Sequence, residues 1–203
     1  QYLTQNIKDA AIRSTLDKLT PYFKETLLAK AQRGSNSENE AGAVINALNA
    51  LAQQGSAEAM TILTAVAVEQ KVPIDDNLRS EVIAPLIRDL AYEKKDSQSL
   101  AALAELIFSD KISDERKFNP QEAAGSQSGK PYKLINALMY LVKEGAQEAV
   151  PHLVKVLQAR NVKGITDEAK KAVVDYFAKN SRTKGARDIL ISAITSKNVP
   201  HET

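Results

Sequence analysis

One sixteen-residue stretch of this chain occurs twice. Residues 45–60 read INALNALAQQGSAEAM and residues 135–150 read INALMYLVKEGAQEAV, a constant offset of 90 with eight identical positions. The shared residues are Ile, Asn, Ala, Leu, then Leu, Gly, Glu, Ala. An echo at fixed spacing points to an architecture that stacks one structural unit repeatedly.

The period inside the echo is helical. Leu134, Leu138, Leu141 and Val142 are spaced i, i+4, i+7, i+8, which lays an apolar stripe along one helix face. Gly145 follows, the residue type that ends helices in the left-handed conformation. Val150, Leu153, Val154 and Leu157 begin a second stripe. Pro151 falls near its start, where a missing N–H costs little because first-turn donors have no helical acceptor. Each unit therefore reads as two antiparallel helices joined by a tight turn. One such pair cannot bury its apolar face alone, so neighbouring pairs must stack.

The run Gly145-Ala146-Gln147-Glu148-Ala149-Val150-Pro151-His152-Leu153 resembles the entry into the second helix of a HEAT repeat. Gly55-Ser56-Ala57-Glu58-Ala59-Met60 is similar, with Thr61 in the proline position. Armadillo-type units are the close alternative. The resemblance implies an all-α, right-handed α-solenoid, an armadillo-like superhelix of about five antiparallel helix pairs. It also implies a protein-binding role, and by itself no enzyme activity.

The remaining segments fit one domain over residues 1–203. Residues 1–33 hold two apolar patterns separated by Pro21 and form an atypical N-terminal pair; Ser37 and Glu40 have capping-box spacing. The segment Ala57 to Val68 is apolar nearly all round, as expected of a helix packed between its partner and both neighbours; an exposed apolar groove is the second reading. A weaker pair follows at about 77–109, with Pro85 inside its first helix as a kink or a delayed start, and Asp96 in the turn position that Ser56 holds earlier. Residues 110–131 carry two prolines, two glycines and no periodicity, and are expected to be a mobile inserted loop open to proteolysis. A last pair is expected over 165–197, with Thr166 and Asp167 as cap candidates for its first helix and Ser181 or Thr183 before its second.

Composition narrows the chemistry. Hydrophobic residues make up 43% of the 203, aromatics only 5%, and Trp is absent, so Ala, Leu, Ile and Val must fill the core. No Cys is present, which removes disulfides, thiolate catalysis and Cys-based zinc sites. No apolar run approaches the roughly 20 residues of a membrane span, so a soluble chain is expected. The chain starts at Gln1, so a processed exported protein and a fragment of a larger chain both stay open.

No catalytic constellation emerges. His152 and His201 are far apart, and no zinc-protease, phosphate-loop or nucleophile-elbow motif occurs. Asp75-Asp76 and Asp114-Glu115 lack the alternating spacing of a calcium loop. No metal, cofactor or catalytic residue is therefore expected. Charge is unevenly spread: residues 1–110 carry 11 Lys+Arg against 15 Asp+Glu, a net −4, and residues 111–203 carry 16 against 10, a net +6. Lys163, Lys170, Lys171, Arg182 and Lys184 are candidate anion-binding residues of that basic half. The sequence pI of about 8.6 falls short of a strongly basic nucleic-acid binder.

Three functions follow in descending order. The first is a non-enzymatic adaptor that binds a protein or peptide on the repeat surface. The second is a nucleic-acid or anionic-surface binder acting through the basic C-terminal helices. The third is an enzyme or lyase-like accessory subunit. For the first, second helices of successive units are expected to line one face. At 100° per residue, His152, Lys155 and Ala159 point away from the stripe centred on Val150. His152 and Lys155, with Arg187 in the last pair, are the candidate partner-binding residues.

Overall fold

The structure, a computed structural model, describes residues 38–68, 76–123 and 129–196. All regular elements among them are helical. The expected pair over residues 1–33, and Ser37 of the capping box, lie outside the described residues.

Helices α1 (Glu38–Gln53) and α2 (Ala57–Val68) form the first pair and pack on each other. Gly55 joins them at φ +94°. Its N–H donates to Ala52 O at 2.9 Å, and the N–H of Ser56 donates to Leu51 O at 3.0 Å. This crossed pair of bonds satisfies carbonyls that the helix end would leave open. The same turn recurs 90 residues later: Gly145 has φ +90°, its N–H donates to Val142 O at 3.0 Å, and Ala146 N–H donates to Leu141 O at 2.9 Å. The echo in the sequence is thus an echo in hydrogen bonding. The core positions agree too. Leu48 and Leu138 are fully buried, and so are Leu63 and Leu153.

Helix α3 runs through an α turn Asp76–Leu78, a π turn Arg79–Ile83 and the α segment Ala84–Lys94. Pro85 sits in the first turn of that last segment, directly after the π turn. The helix therefore starts before the proline and widens by one residue to accommodate it, which resolves the kink expected there. Helix α4 (Ser97–Phe108) follows a turn in which Lys95 takes the left-handed conformation at φ +53°. Asp96 caps α4, its side chain accepting from Ser99 N–H at 2.8 Å. Ser56 does the same for α2, its Oγ accepting from Ala59 N–H at 3.2 Å.

Residues 110–123 correct the expectation of a mobile loop. They form two short helices, α5 (Asp114–Lys117) and α6 (Pro120–Ala123). Ile112 and Lys117 are fully buried, and the Asn136 side chain exchanges hydrogen bonds with the Asn119 backbone at 2.9 and 3.2 Å. Lys117 Nζ donates to Lys163 O at 2.5 Å. Apolar anchoring and a buried ammonium hold this stretch on the core. Residues 124–128 lie outside the described residues.

The third described pair is α7 (Leu134–Lys143) and α8 (Val150–Gln158), with a 3-10 turn Gln147–Ala149 leading into α8. The last is α9 (Asp167–Lys179) and α10 (Ala186–Thr195). Thr166 caps α9 as expected, its Oγ1 accepting from Ala169 N–H at 3.1 Å. Gly185, rather than Ser181 or Thr183, occupies the cap position of α10. The second helices lie side by side in chain order: α2 packs on α4, α4 on α8 and its leading turn, and α8 on α10. No described helix is long and apolar enough to cross a membrane.

Candidate functional site

Between α2 and α4 lies an open groove of about 250 Å³. Small side chains create it. Thr61, Thr64 and Ala65 face Ala101 and Ala102 across the gap, where longer residues would interdigitate. Both threonine hydroxyls are satisfied within their own helix: Thr61 Oγ1 donates to Ala57 O at 2.9 Å and Thr64 Oγ1 to Met60 O at 2.8 Å. That back-bonding removes the hydroxyl donors from the groove. Met60 and Val68 complete an apolar floor. Gln98 closes one end, its Nε2 donating to Ala57 O at 2.7 Å. Glu105, exposed, stands at the other end. The all-round apolar character of residues 57–68 therefore has two uses. Met60, Ile62, Leu63, Val66 and Ala67 are buried, and part of the same helix floors a groove.

The corresponding face between α8 and α10 is bridged by polar contacts. Gln158 Nε2 donates to Ser192 Oγ at 3.4 Å, Ser196 Oγ donates to Leu157 O at 3.4 Å, and Gln147 Nε2 donates to Lys184 O at 3.2 Å. A buried Val156 and Leu157 replace Val66 and Ala67 of the first copy.

The three partner-binding candidates separate. Lys155 is exposed and occupies the position of groove-lining Ala65 in the first copy, so it lies on the second-helix face. Arg187 is exposed on α10. His152 corresponds to buried Ile62 and is itself partly buried, with Nδ1 enclosed and without a hydrogen-bond partner among the described residues. The expectation that it projects from the open face is corrected, and Ala159, also expected to point away, is buried at 8% exposure.

Burial, with a smaller contribution from nearby Lys155, holds the His152 imidazole below its usual value of 6.5. The unfolded chain then protonates first as pH falls through about 6.5, so it binds more protons than the folded chain and stability drops. The loss stops growing once pH falls below the folded-state value. Thermal unfolding of the wild type is expected to be level above about pH 7 and to shift downward below about 6.5. His152→Phe should remove that component, and equal pH profiles for the two proteins would show that His152 does not carry it.

The basic candidates do not converge. Lys163 precedes α9 while Arg182 and Lys184 follow it, and α9 is about 20 Å long. Lys171 is exposed and pairs with Asp175 at 3.2 Å. Lys170 is buried, its Nζ donating to Ala159 O at 2.8 Å, so it serves the fold rather than an open anion site. Sequence reasoning missed three further buried cations. Arg79 Nη1 donates to Val66 O at 2.5 Å, Arg88 Nη1 to Tyr132 O at 2.8 Å, and Lys117 reaches Lys163 O. Each places a cation on a backbone carbonyl, and Arg79 and Lys170 do so at the C-terminal ends of α2 and α8, where helix carbonyls concentrate negative potential. A Lys or Arg at such spacing carries no sequence mark of burial. Among the described residues no group of three or more His, Asp or Glu side chains could hold a metal ion.

No family model, no curated protein and no solved structure matches the chain.

Proposed function

We propose that the chain is a HEAT-like α-solenoid acting as a non-enzymatic scaffold, binding a protein or peptide partner along the face built by its second helices. One observation carries this reading: α2, α4, α8 and α10 lie side by side, and between the first two the face opens into an apolar groove. The groove is smaller than the roughly 300–1,000 Å³ of small-molecule pockets, and it suits side chains of a partner better than a free ligand. The shared turn geometry at Gly55 and Gly145 supports reading the pairs as repeats of one unit.

Lys155 and Glu105 are the charged residues placed to contact such a partner. Lys155→Glu is expected to leave stability within about 0.5 kcal/mol of wild type, because the side chain is exposed. It should reverse the charge met by the partner and weaken binding. The test is capture of partners by wild type, Lys155→Glu and Glu105→Arg from the same extract, with quantitative mass spectrometry. A protein retained by wild type and depleted by either variant supports the reading. A set of captured proteins unaffected by both variants removes this face from consideration.

A further inference from the structure

Helix α10 presents an apolar ridge opposite its buried side. Ala186, Ile189, Ser192 and Ala193 are buried, whereas Ile191 is 47% exposed and Ile194 75%. At 100° per residue, Arg187, Ile191 and Ile194 fall within an arc of about 60°. Such side chains on the outer face of a helix invite a docking partner.

The ridge and the groove are complementary in length, polarity and charge. Gln98 and Glu105 stand seven residues apart along α4, and so do Arg187 and Ile194 along α10, about 10 Å in each case. The groove floor is apolar and made of small side chains, with a single carboxylate at one end. The ridge carries two branched apolar side chains and a single guanidinium at one end. Neither Glu105 nor Arg187 has an ion pair or a side-chain hydrogen bond among the described residues.

We propose that α10 of one copy docks into the α2–α4 groove of a second copy, antiparallel to both helices, with Ile191 and Ile194 over the floor and Arg187 against Glu105. The orientation follows from the charges. Only the antiparallel arrangement brings Arg187 to Glu105, and it also sets this cation toward the C-terminal end of α4, where the helix dipole favours positive charge. Ridge and groove are different surfaces of the same chain, so the contact is heterologous. It closes into a ring or propagates as a filament, according to the rotation between copies. The proposal rests on the second-helix face being the binding face, as argued above, and names its occupant.

Sedimentation velocity over a concentration series tests it, using the full chain. Wild type is expected to self-associate. Ile194→Asp should weaken association by on the order of tenfold or more, through loss of a buried anchor. Glu105→Arg should weaken it similarly, and the double variant Glu105→Arg/Arg187→Glu should restore it, since the pair is reversed rather than lost. Circular dichroism checks that each variant stays folded. Cross-linking of a mixture of isotopically light and heavy chains then locates the contact, and mixed-isotope links between α10 and α2 or α4 are expected. A wild type that stays monomeric at high concentration overturns the proposal. So do cross-links to the groove from residues 1–37 of the same chain, or an association indifferent to Glu105→Arg. A monomer whose captured partner is still lost on Glu105→Arg would reject the second copy while leaving the scaffold reading intact.

Discussion

Replacing Gly164 by alanine is expected to destabilise the protein by about 3 kcal/mol. Gly164 sits at φ +77°, where an L side chain costs roughly 1–2 kcal/mol. Its added Cβ would lie 2.5 Å from Lys117 Cδ, 2.9 Å from Asp114 Oδ1 and 3.2 Å from the Asp114 Cα. Lys117 cannot swing aside freely, because it is fully buried and its ammonium is held on Lys163 O. The close approach at Asp114 involves backbone, so α5 itself must shift. Overpacking of this kind typically adds about 1–3 kcal/mol. Thermal unfolding should register a fall in midpoint of roughly 6–12 °C for a chain of this size. A change below about 2 °C would mean that α5 does not rest on this loop.

Leu63→Ala and Leu153→Ala should each cost about 2–5 kcal/mol, through lost apolar burial and a residual cavity. Both leucines are fully enclosed, and they stand 90 residues apart, the offset of the sequence echo. The two losses should therefore agree to within about 1 kcal/mol, although cavity collapse can differ between sites. Urea denaturation of both variants measures this. A cost below about 1 kcal/mol at one site and a large cost at the other would show that the 90-residue echo does not extend to packing.

The helices and turns of residues 45–60 and 135–150 were legible because their signals are local. Leucine spacing, a glycine at the turn and a capping Ser or Asp act within one or two helical turns, and each recurs where the sequence places it. The fates of Asn46 and Asn136 mark the boundary of that legibility. They are the same residue at the same repeat position, yet Asn46 is exposed and Asn136 is 2% exposed. Residues 110–123 are laid against α7, and Asn119 supplies the partner that makes a buried amide affordable at Asn136. Neighbouring structure decides this burial, and a repeat alignment does not contain it. Residues 110–123 looked loop-like for a related reason. Their helices are four residues each, too short to show a period, and their anchors are isolated side chains such as Ile112 and Lys117.

The candidate site was legible only in part. The angular position of Lys155 opposite the apolar stripe is matched by its exposure. The angular reading fails for His152 and Ala159. The burial of Leu153, Val156 and Leu157 shifts the stripe away from Val150 and brings His152 to its edge. Ala159 is covered at the end of α8, where Lys170 reaches its carbonyl. The all-round apolar character of residues 57–68 allowed a groove there as a second reading, but the run of small residues in two helices that opens it carries no mark of its own. Small side chains on one helix open a gap only where the facing side chains are small too, so the gap becomes visible only when the helices are set side by side.

The loop between α8 and α9 takes ammonium groups from two directions, Lys117 on Lys163 O and Lys170 on Ala159 O. Stacked helix pairs held only by their nearest neighbours can open from the end, one pair at a time. Here a side chain 46 residues earlier in the chain is latched onto the strand of backbone that leads into the last pair. Detaching α9 and the backbone that leads into it would strip a buried cation of its carbonyl acceptor, and α5 would be disturbed in the same event. The α9–α10 pair is thereby enrolled in a larger cooperative unit, and its slowest amide protons should exchange together with those of α7 and not separately.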